Sequence, residues 1–285
     1  ENFVFLQPCF KNIESSVMAK KRILYVSQEI TPYLPENDLS KTARFLPQAM
    51  NESGIEVRLF MPRFGCINER RHQLHEVIRL SGMNLIVNDI DQPLIIKVAS
   101  IPQARMQVYF IDNEEYFKRK FTTADKKEKF YADNDERALF FCRGVIESVK
   151  KLGWSPDVIH CNGWMASFLP MYLKKFYHDD PIFEKTKVVF SFYNHSFEGT
   201  LNKGLASKMK FDGYSEEDVA GFDKADYKKL TETAINYSDA VVKGSADLDA
   251  DVLKMIDGAK LPTLEFSEGE YKERYKPFYE SLFEE

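Results

Sequence analysis

Ile23-Leu24-Tyr25-Val26-Ser27, a loop with Thr31-Pro32-Tyr33-Leu34-Pro35, a helix-like stretch from Lys41 to Ser53, and Ile55-Glu56-Val57-Arg58-Leu59-Phe60-Met61 follow one another without a gap. This segment decides the fold. Short apolar runs rich in branched residues form strands buried on both faces, as in parallel sheets. Asp38 or Ser40 can cap the helix between them, and Gly54 ends it. A strand, a helix and a second strand so closely joined make one β-α-β unit.

The same grammar recurs downstream. Asp157-Val158-Ile159-His160-Cys161, Lys187-Val188-Val189-Phe190-Ser191-Phe192 and Ala240-Val241-Val242 read as further buried strands. Asp135–Leu152, Met165–Phe176, Tyr227–Asn236 and Leu248–Ile256 read as helices. Gly153 closes the first of these, and Ser245 or Asp247 can cap the last. Leu74–Leu80, Met83–Val87, Leu94–Ile101 and Gln107–Asp112 carry strand signals with period-two stretches, an antiparallel or mixed excursion from a parallel sheet. The expected fold class is therefore α/β, one doubly wound domain over residues 18–285. Tyr271–Phe283 is expected to form an amphipathic helix that closes it. Residues 1–17 read as an extension upstream of a start at Met18, or as an arm packed on the surface.

Composition narrows the function. The 285 residues carry a net charge of −5, which lacks the broad basic footprint of a nucleic-acid binder. No stretch approaches the ~20 apolar residues of a membrane span. Cys9, Cys66, Cys142 and Cys161 are too scattered for a zinc site, and reduced thiols imply a cytoplasmic setting. His72 and His75 lack a third ligand, so no metal is expected. No glycine-rich phosphate loop follows the first strand, and no bound cofactor is called for.

Ligands of open α/β sheets bind beyond the carboxyl ends of the strands. The loops there are Gln28–Leu39, Met61–Asn68, His160–Trp164 and Tyr193–Gly199. The last reads Tyr193-Asn194-His195-Ser196-Phe197-Glu198-Gly199 and mixes hydrogen-bonding groups with aromatics. Aromatic faces pack on the apolar face of a sugar, while Asn, His and Glu bond its hydroxyls. His195 and Asn194 can equally tie loops together, Trp164 can be core, and His160 can be a structural histidine. Glu29 and Glu198 are possible acid or base groups.

Several of these segments together resemble the N-terminal catalytic half of the glycogen and starch synthases that use ADP-glucose (glycosyltransferase family 5). They are Ser27-Gln28-Glu29-Ile30-Thr31-Pro32-Tyr33 with Leu39, Leu46-Pro47-Gln48-Ala49, Gly54 to Gly65, Tyr131 to Ala138, Pro156 to Met165, and Ser191 to Gly199. The resemblance covers about residues 20–250. It implies a Rossmann-like domain, the N-terminal half of a GT-B glycosyltransferase, acting on an α-glucan with ADP-glucose as donor. On that footing Glu29, Arg137, His160, Asn162, Trp164, Asn194, His195, Phe197 and Glu198 are the candidate glucan or ligand contacts.

The departures from the family pattern matter as much. Its Lys-x-Gly-Gly-Leu loop, which meets the donor phosphates, is Pro35-Glu36-Asn37-Asp38-Leu39 here. Lysine supplies charge and glycine allows close backbone approach to phosphate, so both functions are lost. A family Asp is Gly163, a His is Met165, and a catalytic-site His is Tyr193. No confident catalytic residue remains. The nucleotide-binding second domain is also unmatched after Ser245. The expectations are a synthase-like protein, incomplete as a catalyst unless a separate chain supplies that domain, or a non-catalytic glucan-binding or regulatory protein. A third is a scaffold that docks a partner through the aromatic tail Tyr275, Phe278, Tyr279 and Phe283, unless that tail packs on its own domain.

Overall fold

The computed structural model describes residues 20–283. The expectation for residues 1–17 lies outside the described residues. Ten strands are β1 Arg22–Ser27, β2 Glu56–Pro62, β3 His75–Glu76, β4 Met83–Val87, β5 Ile90–Ile101, β6 Met106–Asp112, β7 Val158–Asn162, β8 Lys187–Phe192, β9 Ala240–Lys243 and β10 Thr263–Leu264. Helices are α1 Asp38–Glu52, α2 Glu69–His72, α3 Glu114–Phe117, α4 Asn134–Leu152, α5 Phe168–Phe176, α6 Leu205–Phe211, α7 Tyr227–Asn236, α8 Ala250–Ala259 and α9 Lys276–Phe283.

The strands form one sheet in the order β10-β9-β8-β7-β1-β2-β6-β5-β3, with β4 paired to β5. From β10 to β6 every pairing is parallel, and β3, β4 and β6 each pair antiparallel with β5. The chain steps from β1 to β2 in one direction and returns from β6 to β7 in the other. Right-handed crossovers then place α1 and α4 on opposite faces of the sheet. Strands β1, β7 and β8 are apolar and almost wholly buried, as a doubly covered sheet demands. Helix α4 ends at Gly153, whose φ of 59° is the left-handed conformation a helix C-cap favours.

Four local expectations are corrected. The cap of α1 is Asn37, which accepts from Ser40 N–H at 2.8 Å while Ser40 Oγ accepts from Asn37 N–H at 2.9 Å. Asp38 and Ser40 lie inside the helix because Asn37 starts this reciprocal capping box. The cap of α8 is Asp249, not Ser245 or Asp247, which face the loop after β8 instead. Of Leu74–Leu80 only His75–Glu76 is strand, because a turn through Val77 O takes Leu80 and Ser81 N–H. The stretch from Met165 starts as a 3₁₀ turn, Trp164–Ala166, before α5 begins.

The tail packs on its own domain, through a π-helical turn, Tyr271–Tyr275, that runs into α9. Tyr279 is fully buried and its hydroxyl lies 2.5 Å from His160 Nδ1. His160 Nε2 lies 2.6 Å from Ser191 Oγ. Burial pushes the His160 imidazole down to about 3, so it is neutral at ordinary pH. The result is a polar clamp from α9 through β7 to β8. Tyr279→Phe leaves one His160 nitrogen buried without a partner and is expected to cost about 1–3 kcal/mol. Urea unfolding measures it; an unchanged midpoint would mean that apolar packing alone holds the helix.

Candidate functional site

The strand order reverses between β1 and β7, and the loops after β1, β7, β8 and β9 gather there. Gln28, the first residue after β1, donates its N–H to Asn162 O at 2.9 Å and accepts Met165 N–H on Oε1 at 3.2 Å. The next residue, Glu29, is almost buried and takes two side chains. Asn37 Nδ2 donates to Oε2 at 2.7 Å, and His195 Nε2 lies 3.0 Å from Oε1. One carboxylate thus joins the cap of α1 to the loop after β8.

The electrostatics follow from this geometry. Burial raises the Glu29 carboxyl, but the hydrogen bond and charge of His195, with the Asn37 and Gln28 amides, outweigh it and leave the group lowered. The hydrogen bond to Glu29 raises the His195 imidazole against an opposing effect of burial. The pair is an ion pair in the slightly acid range.

Around it the loops close on one another. Tyr193 is buried, with its hydroxyl donating to Asn162 Oδ1 at 2.8 Å. Asn194 donates its N–H to Ser245 Oγ at 3.3 Å and its Nδ2 to Asp247 Oδ2 at 2.8 Å. Ser245 Oγ donates to Asp38 Oδ2 at 2.9 Å. Together these line a cleft of ≈ 230 Å³. Its carboxylates are Asp38 and Asp247, with Glu29 beneath, and His195 is the only basic side chain in its lining.

A second surface lies beside the cleft. Phe197 stacks on Phe130 with centroids 4.8 Å apart and planes at 14°, and Trp164 packs 4.9 Å from Phe197. Tyr227 meets Phe197 edge-on at 5.9 Å. Trp164 is buried, while Phe130 and Phe197 are half-buried. Phe130 lines an open groove of ≈ 580 Å³, formed by Lys129–Ala132 on one side and Glu198–Lys203 on the other. Glu198 is exposed there. Phe130, Tyr227, Asp38 and Asp247 were not singled out from sequence as ligand contacts. The only signal was the aromatic pair Phe130-Tyr131 ahead of Asp133-Asn134.

The structure brings Glu29, Asn162, Trp164, Asn194, His195, Phe197 and Glu198 to this edge of the sheet. Two candidates sit elsewhere. His160 is the buried clamp described above. Arg137 is fully buried: its Nε donates to Tyr116 O at 2.7 Å and Nη1 to Asn134 Oδ1 at 2.6 Å, with Phe64, Phe117 and Tyr131 around the guanidinium. Burial lowers it to about 10, so it stays charged and orders the start of α4. Pro35 is exposed, and Gly163 is buried at φ 87°.

A parallel α/β sheet whose strand order reverses between β1 and β7 is a Rossmann-like fold. The chain belongs to the starch synthase catalytic domain family, whose model matches residues 22–264. It is 38% identical to the glycogen synthase of Chlorobium luteolum over 193 residues, 66% of this chain and 39% of that protein. It is 35% identical to the glycogen synthase of Chlorobium limicola over 238 residues, 79% of this chain and 48% of that protein. The catalytic domain of starch synthase IV from Arabidopsis thaliana, bound to ADP and acarbose, superposes with a TM-score of 0.61 at 18% identity. That match covers 79% of this chain and 45% of the other. The chain spans less than half the length of these curated relatives.

Two tests follow. A group whose folded value is raised stabilises below its unfolded value, so the His195 contribution is complete below about pH 6.5 and is lost as pH rises through the folded value. Glu29 is lowered, so its contribution is present above about pH 4.5 and is lost as pH falls through the folded value. NMR titration of the imidazole is expected to give a His195 midpoint above 6.5, and Glu29→Gln should bring it down. A midpoint indifferent to that substitution would remove the ion pair. At Gly163 a Cβ would meet Gln28 Cβ at 2.8 Å and Leu39 Cδ1 at 2.9 Å. Gly163→Asp, which places there the residue that the family resemblance implies, is therefore expected to cost about 1–3 kcal/mol in backbone strain alone. Equal thermal stability of the variant would show that the loop yields.

Proposed function

We propose that this chain is a glucan-handling domain of the starch synthase family that does not by itself transfer glucose from ADP-glucose. Its charge distribution carries the reading. Transfer from a nucleoside diphosphate sugar requires cationic or N–H groups where negative charge gathers on the leaving group. The loop that would meet the diphosphate carries Glu36 and Asp38, and the cleft behind it carries Asp38, Asp247 and Glu29. Carboxylates gathered at one cleft repel the negative charge of a diphosphate. Asp38 is also hydrogen-bonded through Ser245 to the loop after β8, which holds it at the mouth.

The glucan side keeps its chemistry. Half-buried Phe130 and Phe197 offer apolar ring surface backed by buried Trp164, and Asn194, His195 and Glu198 offer hydrogen-bonding groups at their border. We assign α-glucan recognition to these residues and no catalytic step to any of them. Buried Asn162 supports them by holding the Tyr193 hydroxyl. The setting is cytoplasmic in this reading, supported by the unbridged thiols of Cys66, Cys142 and Cys161. Among the described residues no helix is long and apolar enough to cross a membrane.

Two assays decide it. Calorimetry with maltooligosaccharide is expected to detect binding, weakened about tenfold by Phe197→Ala, in line with loss of one aromatic contact. ADP release from ADP-glucose with glycogen is expected to stay at background for the chain alone. Turnover by the chain alone would overturn the non-catalytic reading. Turnover only with an added polypeptide would identify that polypeptide as the donor-binding half. No glucan binding would overturn the glucan assignment.

A further inference from the structure

The aromatic groove carries a charge pattern that neutral sugar recognition does not require. The loop feeding its Phe130 side runs from Lys118 to Lys129, with six basic side chains (Lys118, Arg119, Lys120, Lys126, Lys127, Lys129) against Asp125 and Glu128. The chain as a whole carries −5. Some lysines of the chain are each held by two carboxylates: Lys97 by Glu69 and Asp112, Lys208 by Asp135 and Glu136, Lys243 by Asp257 and Glu265. Lys126, Lys127 and Lys129 on this loop, and Lys203 across the groove, make no ion pair among the described residues and are exposed. Glu198 is the only acidic side chain in the groove lining.

The loop is built rather than loose. Asp125 Oδ1 accepts Lys127 N–H at 2.7 Å and Lys129 N–H at 3.1 Å, and Ala124 bridges Phe130. Tyr131 N–H reaches Thr123 O at 3.0 Å, and Asn134 Nδ2 reaches the same carbonyl at 2.7 Å. The acid at the loop's centre is thus spent on backbone amides and leaves the lysine ammonium groups unneutralised. Behind the groove, the Tyr131 ring lies 4.3 Å from the Arg119 guanidinium and 5.3 Å from that of Arg137. The opposite wall is fixed by Asn202 Nδ2, which donates to Ala132 O at 3.2 Å.

Unpaired ammonium groups on both walls of a groove focus positive potential into it, where an anion is held by charge-assisted hydrogen bonds. The Phe130–Phe197 stack at the groove's end suits the apolar face of a sugar ring. The groove is open to solvent along its length, with a volume of ≈ 580 Å³ that admits an extended chain. We propose that this groove, between Lys129–Ala132 and Glu198–Lys203, selects α-glucan that carries phosphate monoesters, with Phe130 and Phe197 on the sugar and Lys129 and Lys203 on the phosphate. This rests on the glucan reading above and adds the chemistry of the preferred glucan. Basic residues beside aromatics also suit single-stranded RNA; membership of a glucan-acting family and the acidic chain favour the sugar.

Calorimetry on the full chain tests it with four probes: phosphorylated maltooligosaccharides, the same preparation after phosphatase treatment, inorganic phosphate, and polyuridylate. The phosphorylated sugar is expected to bind about tenfold tighter than its dephosphorylated form, as a charge-assisted contact implies. That advantage should shrink as salt rises and vanish in Lys129→Gln/Lys203→Gln, and reverse in Lys129→Glu/Lys203→Glu. Equal binding of the two sugars overturns the phosphate assignment while leaving the glucan reading intact. Binding of neither sugar overturns both. A phosphate advantage that survives in the double variants moves the site elsewhere, tighter binding of polyuridylate reassigns the groove to nucleic acid, and inorganic phosphate binding as tightly as the phosphorylated sugar removes the role of the rings.

Discussion

Strand β1 is hydrogen-bonded in parallel on both sides, to β2 from Arg22 opposite Glu56 to Val26 opposite Phe60, and to β7 from Ile23 opposite Val158 to Ser27 opposite Asn162. Almost everything functional depends on this double pairing. It requires apolar residues on both faces of β1, so Ile23 to Ser27 are buried without a break. It also brings the loops that leave β1 and β7 out at the same edge and level. Gln28 then meets Asn162 and Met165 through hydrogen bonds, and the Gly163 backbone must turn with Gln28 and Leu39 already against it.

The charge of that edge is the second constraint. An Asp side chain at Gly163 would have to enter space held by Gln28 and Leu39, at a backbone angle that side chains rarely adopt. Glycine at this position is therefore matched by its surroundings. The Glu29–His195 pair likewise ties two loops together. The positive charge that a phosphate would need lies some way round the same face, on the loop ending at Lys129 and on Lys203.

Element identity was largely legible in sequence because each strand and helix carries its own period. Met83–Val87, Lys187–Phe192 and Tyr227–Asn236 have the boundaries read from the pattern. Caps were less legible. Asn37, Asp38 and Ser40 are all good cap formers, and the choice of Asn37 is coupled to a hydrogen bond with Glu29 from a different element. Leu74–Leu80 has strand composition, yet a turn at Val77 after two paired residues ends it, and composition does not encode where an edge strand loses its neighbour.

Among the candidate site residues, the loop motif Tyr193 to Gly199 could be picked out because hydrogen-bonding and aromatic residues cluster within it. Which of them face a ligand could not. His160 and His195 look alike in sequence, both histidines at or just beyond a strand. Tyr279 and Ser191 enclose the first as a neutral buried clamp, and Glu29 holds the second as a partly open ion pair. By itself the sequence determined the alternation of strands and helices, the family, and the acidic residues Glu36 and Asp38 in the loop after β1, since these reside in local pattern and residue identity. The tertiary structure alone decided that Arg137 is a core guanidinium, that the tail is sealed inward, and that Phe130 and Phe197 share one groove with unpaired lysines. Each of those depends on contacts between residues far apart in the chain, which only the packing of the sheet and its helices brings together.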